Sequence, residues 1–329
     1  MHIRKGVIDL HADSLMWGRW VGYDLLKKHE PPFIKSAFCG HVDLPRLREG
    51  GVIAQWFGLV SLPIGESGMD LSVHEQIDVL EQTVARDPSA LRIVRSADEL
   101  QAAEREGAMA ALLGIEGAHA LQGDLDALDR FARRHVRSLG LLHFSANKAG
   151  YPAYGYGKSD ARGLTLWGKQ LVEKCEERGV IVDLAHINRA GFLDACAMAK
   201  KPQMVSHTGV QGGFEHWRNI DDEQLRAIAK TGGCIGVLYV PAYLGGDGLD
   251  AVVRHLQHIV KVAGEDTPAL GSDWDGMIVP TPALCDPRGV PSLLDALAES
   301  GVPERVVDKI ACGNVLRLLT DAPPRSNTD

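Results

Sequence analysis

The residues best able to do chemistry stand at the ends of apolar runs. His11 and Asp13 close GVIDLHAD, Glu116 closes AALLGIE, His143 closes SLGLLH, His186 closes GVIVDLAH, His207 closes QMVSH, and Asp273 follows PALGS. Imidazoles and carboxylates without thiolates are the donor set of a hydrolytic zinc site, with manganese, cobalt and iron as chemical alternatives. Residues two apart in an extended strand point to one side, so His11 and Asp13 can face the same cation. Glu116 lies between Gly114 and Gly117, which let other groups approach closely, and its two oxygens can serve two ions. Two ions about 3.5–4 Å apart can share a water and bring its pKa towards about 7. Asp273 is placed to take that water's proton, with Asp275 as its rival. His143 is suited to stabilise the oxyanion of an attacked carbonyl, and Arg218, in HWRN, to grip a carboxylate through two N–H groups.

Any one of these residues, taken alone, reads as an ordinary polar strand exit, a core histidine or a surface charge. Their recurrence after successive apolar runs is what points to a site. The other histidines support no comparable reading. His255 and His258 lie three apart on a helical stretch and are expected on its exposed face, while His41, His119, His135 and His216 read as structural. No nucleophile elbow, Walker loop or dinucleotide fingerprint is present.

The elements that must position these groups alternate. Strand-like segments fall at roughly 6–12, 51–60, 108–115, 138–144, 179–185, 203–207, 233–240 and 268–273. Most are rich in Val, Ile and Leu and lack polar alternation, as parallel strands covered on both faces should be. Helical stretches lie between and after them at 72–86, 97–106, 123–136, 165–178, 188–200, 221–231, 249–263, 291–300 and 303–319. Ser96 with Glu99 reads as a capping box, and Asp221–Asp222 and Gly232–Gly233 bracket another helix. Eight β/α alternations favour a closed (β/α)8 TIM barrel, whose active site gathers at the carboxyl ends of its strands. The chain reads as one barrel domain over 1–329 with C-terminal helices packed on it. The Gly- and Tyr-rich stretch 145–163 is the one long loop, and it directly follows His143.

With 329 residues, 45% hydrophobic and 24% charged, the composition is that of a globular protein. The net charge of −8 argues against a nucleic-acid partner. Six scattered cysteines without a C-x-x-C pair read as reduced thiols. With no membrane-spanning run, leader or lipid-anchor signal in view, the expected location is cytoplasmic, with no membrane partner.

The segments IDLHADSL, HVDLPRLREGGVIAQWF, LLGIEGAHAL, GLTLWGKQLVEKCEERGVIVDLAHI, VSHTG, HWRNI, LGSDWDG and GNVLRLL resemble, nearly end to end, the membrane (renal) dipeptidase family of the amidohydrolase superfamily. The H-x-D opening and the glutamate in GIEG set this family apart from relatives that use H-x-H and a carbamylated lysine. The resemblance implies two divalent metal ions, zinc first: His11 and Asp13 on one, His186 and His207 on the other, Glu116 bridging. It implies that His143 polarises the scissile carbonyl, Arg218 holds the terminal carboxylate, and Asp273 carries the proton from a metal-bridged hydroxide's parent water to the leaving amine. The implied substrate is a small dipeptide, with a D-residue tolerated at its C-terminal position, and the implied assembly is a homodimer. The alternative is an amidohydrolase acting on another small amide, a lactam or an N-acyl amino acid. Two departures bear on that choice. FSANKAGYPAYGYG differs from the mammalian loop, and Tyr239 stands in VLYVPAY where many relatives carry Asn, which makes it a candidate substrate contact.

Overall fold

The computed structural model describes residues 6–30, 37–61 and 68–325. Its strands are β1 (Val7–Ala12), β2 (Val52–Val60), β3 (Leu91–Ile93), β4 (Met109–Glu116), β5 (Val136–Gly140), β6 (Ile181–Asp183), β7 (Met204–Thr208), β8 (Cys234–Val237) and β9 (Pro268–Leu270). All paired strands are parallel, in the order β2-β1-β9-β8-β7-β6-β5-β4, and β2 pairs with β4 from Ala54↔Ala110 to Val60↔Glu116. That last pairing closes the ring into an eight-stranded (β/α)8 barrel. Every residue of β1, β4, β5 and β7 is buried, which accounts for their unbroken apolar character.

The short strand β3 is an addition that the apolar pattern does not reveal. It borrows Met109–Ala111 of β4, leaving Leu113–Ile115 to pair with β5. The expected strand 138–144 starts earlier and stops at Gly140, so His143 sits on the loop three residues beyond it.

Capping follows local chemistry. Asp221 and Gln224 form a reciprocal capping box on the helix Asp222–Thr231, which ends at Gly232 in the left-handed region. Ser96 caps Ala97–Arg105 by accepting from the Glu99 N–H, but the Glu99 carboxylate takes the Arg95 N–H instead of completing the box. Two further helices, Ser14–Val21 and Leu44–Glu49, were not foreseen. The expected helix 303–319 is broken into Glu304–Asp308 and Asn314–Asp321 by a π-type turn over Lys309–Gly313. Val315, Leu318 and Leu319 of the last segment share an apolar cluster with Ile8, Leu10 and Trp56 of the barrel.

One expectation is overturned. His255 is fully buried: Nδ1 accepts the Val210 N–H at 2.9 Å and Nε2 meets the Leu244 carbonyl at 3.2 Å. Burial, the largest influence, lowers its pKa to about 4, so it is a neutral core residue. The helix Leu249–Ala263 lays one face on the barrel, and His255 stands on that face beside Val252 and Leu256.

A buried ionic knot ties the loop after β1 to the segment after β9. Arg46 is fully buried; Nε donates to Asp43 at 2.8 Å, Nη2 donates to the Gly40 carbonyl at 2.8 Å and to the Tyr23 hydroxyl at 3.1 Å, and Asp286 lies 3.7 Å from Nη1. Removing one member of such a knot strands the other's charge in a dry interior. Arg46→Leu is therefore expected to destabilise the fold by about 3–5 kcal/mol, read as a lowered urea midpoint. A loss under about 1 kcal/mol would show that Asp43 is satisfied by its backbone donors alone.

Candidate metal centre

All seven residues at the strand ends reach the same rim of the barrel. Glu116 is the hub: Oε1 lies 2.8 Å from His186 Nε2, 3.5 Å from His207 Nε2 and 3.9 Å from His11 Nε2. Its other oxygen, Oε2, lies 3.7 Å from His143 Nε2. His186 and His207 turn Nε2 atoms to within 2.9 Å of each other, and His11 Nε2 is 3.2 Å from Asp13 Oδ1. Three triads, His11–Asp13–Glu116, Glu116–His143–His186 and His11–His207–Asp273, each bring their ligand atoms within 4.8 Å of one another. Donors on a tetrahedral zinc with bonds of about 2.1 Å stand roughly 3.4 Å apart, close to this spacing.

Backbone strain helps aim two of the groups at the rim. His186 and Asp273 hold φ of 65° and 64°, a left-handed conformation that turns a side chain sharply out of its strand direction. Asp275, at φ 66°, turns away from the cluster. Its carboxylate accepts from Ser14 Oγ at 2.5 Å and from the His41 N–H at 2.8 Å, so it supports the first strand's exit and is not Asp273's rival.

Two carboxylates beneath the rim hold the strand ends together, and neither stood out in the sequence. Asp9 accepts from Gln55 Nε2 at 2.7 Å, from the Ser272 N–H and hydroxyl at 2.9 Å each, and from the His11 N–H at 3.2 Å. It thereby locks His11 against the segment carrying Asp273. Asp183 accepts from the Ser206 N–H at 2.9 Å and the Ala185 N–H at 3.0 Å, joining the two segments that carry His207 and His186. Ser206 Oγ lies 2.9 Å from His207 Nδ1, orienting that ring.

The donor set fits divalent cations. His11 Nε2 and Asp13 Oδ1 are buried with no hydrogen-bond partner among the described residues. Gly58 keeps the space beside them clear: a Cβ there would stand 2.1 Å from Asp13 Oδ1 and 2.9 Å from His11 Cε1. Charge tells the same story. Burial would lower the His11 pKa, but Asp13, then Glu116 and Asp273, lift it to about 10, so without a cation the cluster draws a proton onto that ring. His186, although Glu116 opposes the shift, is pushed down to about 3, chiefly by burial and then by the Arg218 charge. Neutral imidazole is the ligating form.

The remaining expected residues surround this cluster. Arg218 is buried, with Nη2 donating to the His207 carbonyl at 2.8 Å and Nη1 to Thr208 Oγ1 at 3.4 Å. Those bonds fix the guanidinium beside the cluster. Tyr239 is fully buried, its ring edge-on to Trp274 at 5.4 Å and its hydroxyl without a hydrogen-bond partner among the described residues. Tyr243, which the sequence reading passed over, is electrostatically coupled to both Arg218 and Asp273. Its position in PAYL, one helical turn past β8, carries no local signal of that placement. His119, also buried, meets Ser145 Oγ at 2.8 Å and so anchors the start of the 145–163 loop.

A barrel with this rim belongs to the metal-dependent hydrolases. The model for the membrane dipeptidase family, peptidase family M19, matches residues 2–328, and the chain is a member of that family of metal-dependent peptide-bond hydrolases. Dipeptidase tcpJ of Claviceps purpurea is 30% identical over 299 residues, 86% of this chain and 69% of that protein. A protein encoded in the pqqA 5′ region of Klebsiella pneumoniae is 33% identical over 255 residues, 74% of this chain and 94% of that one. The crystal structure of a Rhodobacter sphaeroides metallopeptidase, liganded with a phosphinate mimic of L-Ala-D-Ala, superposes with a TM-score of 0.85 at 25% identity, covering 97% of this chain and 99% of that one. Among the described residues no helix is long and apolar enough to cross a membrane.

Two measurements follow from this geometry. Gly58→Ala should leave the circular dichroism spectrum intact while removing at least one metal ion per chain, read by elemental analysis after desalting. Full metal content in that variant would show that the space beside Asp13 is not needed. A cation must also displace the proton that His11 holds below its pKa of about 10. Apparent metal affinity should therefore fall as pH drops below that value, by up to about tenfold per unit, with proton release detected by calorimetry in buffers of different ionisation enthalpy.

Proposed function

We propose that this chain hydrolyses dipeptides that carry a free C-terminal carboxylate, and that it tolerates a D-residue at that position. The observation that carries the reading is Glu116, whose one oxygen lies within 3.9 Å of imidazoles from three different strand ends. In this reading His11 and Asp13 would hold one divalent ion, His186 and His207 a second, and Glu116 would be shared between them, with zinc the leading candidate. Such a pair, when bound, supplies Lewis-acid chemistry, acidifying a water and polarising a carbonyl.

The protein's own groups do the rest. Burial holds the Asp273 carboxyl well above its ordinary pKa; His11 and Arg218 oppose that rise, while Asp13 and Glu116 add to it. As the carboxylate, Asp273 would accept the attacking water's proton and pass it to the leaving amine, a form that nearby divalent cations would favour. His143, whose Nδ1 is buried without a partner among the described residues, turns Nε2 towards Glu116 and is positioned to steady the carbonyl oxygen. Arg218, already fixed by two hydrogen bonds, takes the substrate's carboxylate, and Tyr243 stands by the same charge. Tyr239 contributes through the shape of the inner wall. Cys175 and Cys234 are buried free thiols, which favour a reducing compartment and so the cytoplasm. The Rhodobacter sphaeroides relative's complex with an L-Ala-D-Ala mimic supports the tolerance for a D-residue.

A panel of L-Xaa-D-Xaa and L-Xaa-L-Xaa dipeptides, assayed before and after chelation, tests the reading. Hydrolysis should stop without metal and return with zinc, and undiminished turnover of the metal-free protein would overturn it. An N-acyl amino acid cut faster than every dipeptide would decide for the wider amidohydrolase alternative. Asp273→Asn is expected to lower kcat by about 10²–10⁴ with metal content retained. Wild-type turnover in that variant would remove Asp273 as the proton carrier.

A further inference from the structure

A cleft of about 270 Å³ opens beside the cluster, and its wall includes both His186 and Arg218. If the scissile carbonyl lies at the cluster and the terminal carboxylate on Arg218, the substrate's C-terminal residue spans the distance between them. Its side chain then faces this cleft. The inference rests on the dipeptidase reading in that respect.

The chemistry of the cleft is lopsided. Ile187, Ile220 and Trp217 form an apolar stretch, and Trp217 is held in place by stacking on Tyr154 at 4.3 Å. The same wall carries Arg189, Asp221 and Asp160. Arg189 is committed: Nε pairs with Asp221 at 2.5 Å, and Nη2 pairs with Glu223. Asp221 is doubly committed, since it also caps the helix Asp222–Thr231. Arg162, two residues from Asp160, lies over the Tyr151 ring at 4.3 Å. Asp160 itself is exposed, lines the cleft, and has no ion pair or hydrogen bond through its carboxylate among the described residues. With Arg218 taken by the substrate's terminal carboxylate and Arg189 paired with Asp221, the charge left without a partner in the lining is that of Asp160, in a wall that also carries the apolar Ile187, Ile220 and Trp217. A side chain with a methylene stem and a cationic tip matches both features.

We propose that this cleft receives the side chain of the substrate's C-terminal residue, and that Asp160 makes the enzyme select a basic side chain there over a neutral or acidic one of similar length. The interaction is solvent-exposed, so its contribution is that of a surface ion pair, roughly two- to fivefold in kcat/KM.

The test compares Ala-Lys, Ala-Met and Ala-Glu, in both configurations at the second residue, on the metal-loaded enzyme. The expected order is Lys above Met above Glu, with the spread shrinking as salt is raised. Asp160→Asn should bring the Lys/Met ratio close to one, and Asp160→Lys should reverse the Lys/Glu order. Equal kcat/KM for all three side chains in the wild type, or an unchanged Lys/Met ratio in Asp160→Asn, overturns the inference while the dipeptidase reading stands. Failure to cleave any dipeptide overturns that reading, and the inference with it.

Discussion

Three carboxylates, Asp13, Glu116 and Asp273, are withdrawn from water within one small volume, and their mutual repulsion is the constraint around which the rest is arranged. Dehydrated negative charge at this density is untenable alone. The response is visible in the protein itself: His11 is drawn towards protonation while His186 and His207 are held neutral. A ring that stays neutral beside a carboxylate hub is ready to donate a lone pair, and a ring that must gain a proton marks where positive charge is missing. Divalent cations answer both conditions at once.

Such a cluster requires a frame that does not yield. Parallel strands supply it by ending together on one rim, but backbone pairing alone leaves the side chains unfixed. Asp9 and Asp183 complete the task from below, each accepting hydrogen bonds from two adjacent strand ends. Burial raises the pKa of both, and their backbone and hydroxyl donors counter that rise. From the side, Asp275 binds Ser14 and His41 and holds the loop after β1 in place. The residues at the rim are thus positioned by buried carboxylates that bond chiefly to the backbone and hydroxyl groups between them.

Above the rim, the membrane dipeptidase family supplies the class of reaction, whereas the surroundings of the cluster are this chain's own. His119 anchors the loop that carries Tyr154 and Asp160, and Tyr154 stacks on Trp217 from the segment that carries Arg218. Two loops far apart in the chain therefore meet over the cleft beside Arg218. In the proposed reading, selectivity resides where those loops meet and the chemistry in the strand ends below.

The barrel, and the residues that its rim gathers, were legible in the sequence because each depends on local pattern. A short apolar run without alternation, bounded by turn residues and rich in β-branched side chains, fits a strand covered on both faces, and an ionisable residue closing such a run stands at its end wherever the strand lies. β3 escaped notice because LRI is three residues long with a charge at its centre, and its partner Met109–Ala111 is contributed from elsewhere. His255 was misjudged because a histidine on an amphipathic helix shows nothing of the Val210 N–H awaiting it across the fold. Tyr243 was missed because its neighbours Arg218 and Asp273 are distant in sequence. Asp275 could be separated from Asp273 only when their backbones had been placed, since DWD offers two equal carboxylates and the turn decides which faces inward. Residue types and their periodicity determined which atoms could ligate a metal; only closure of the ring determined the distances between them, because ligation depends on separations of a few ångströms between groups up to some 260 residues apart.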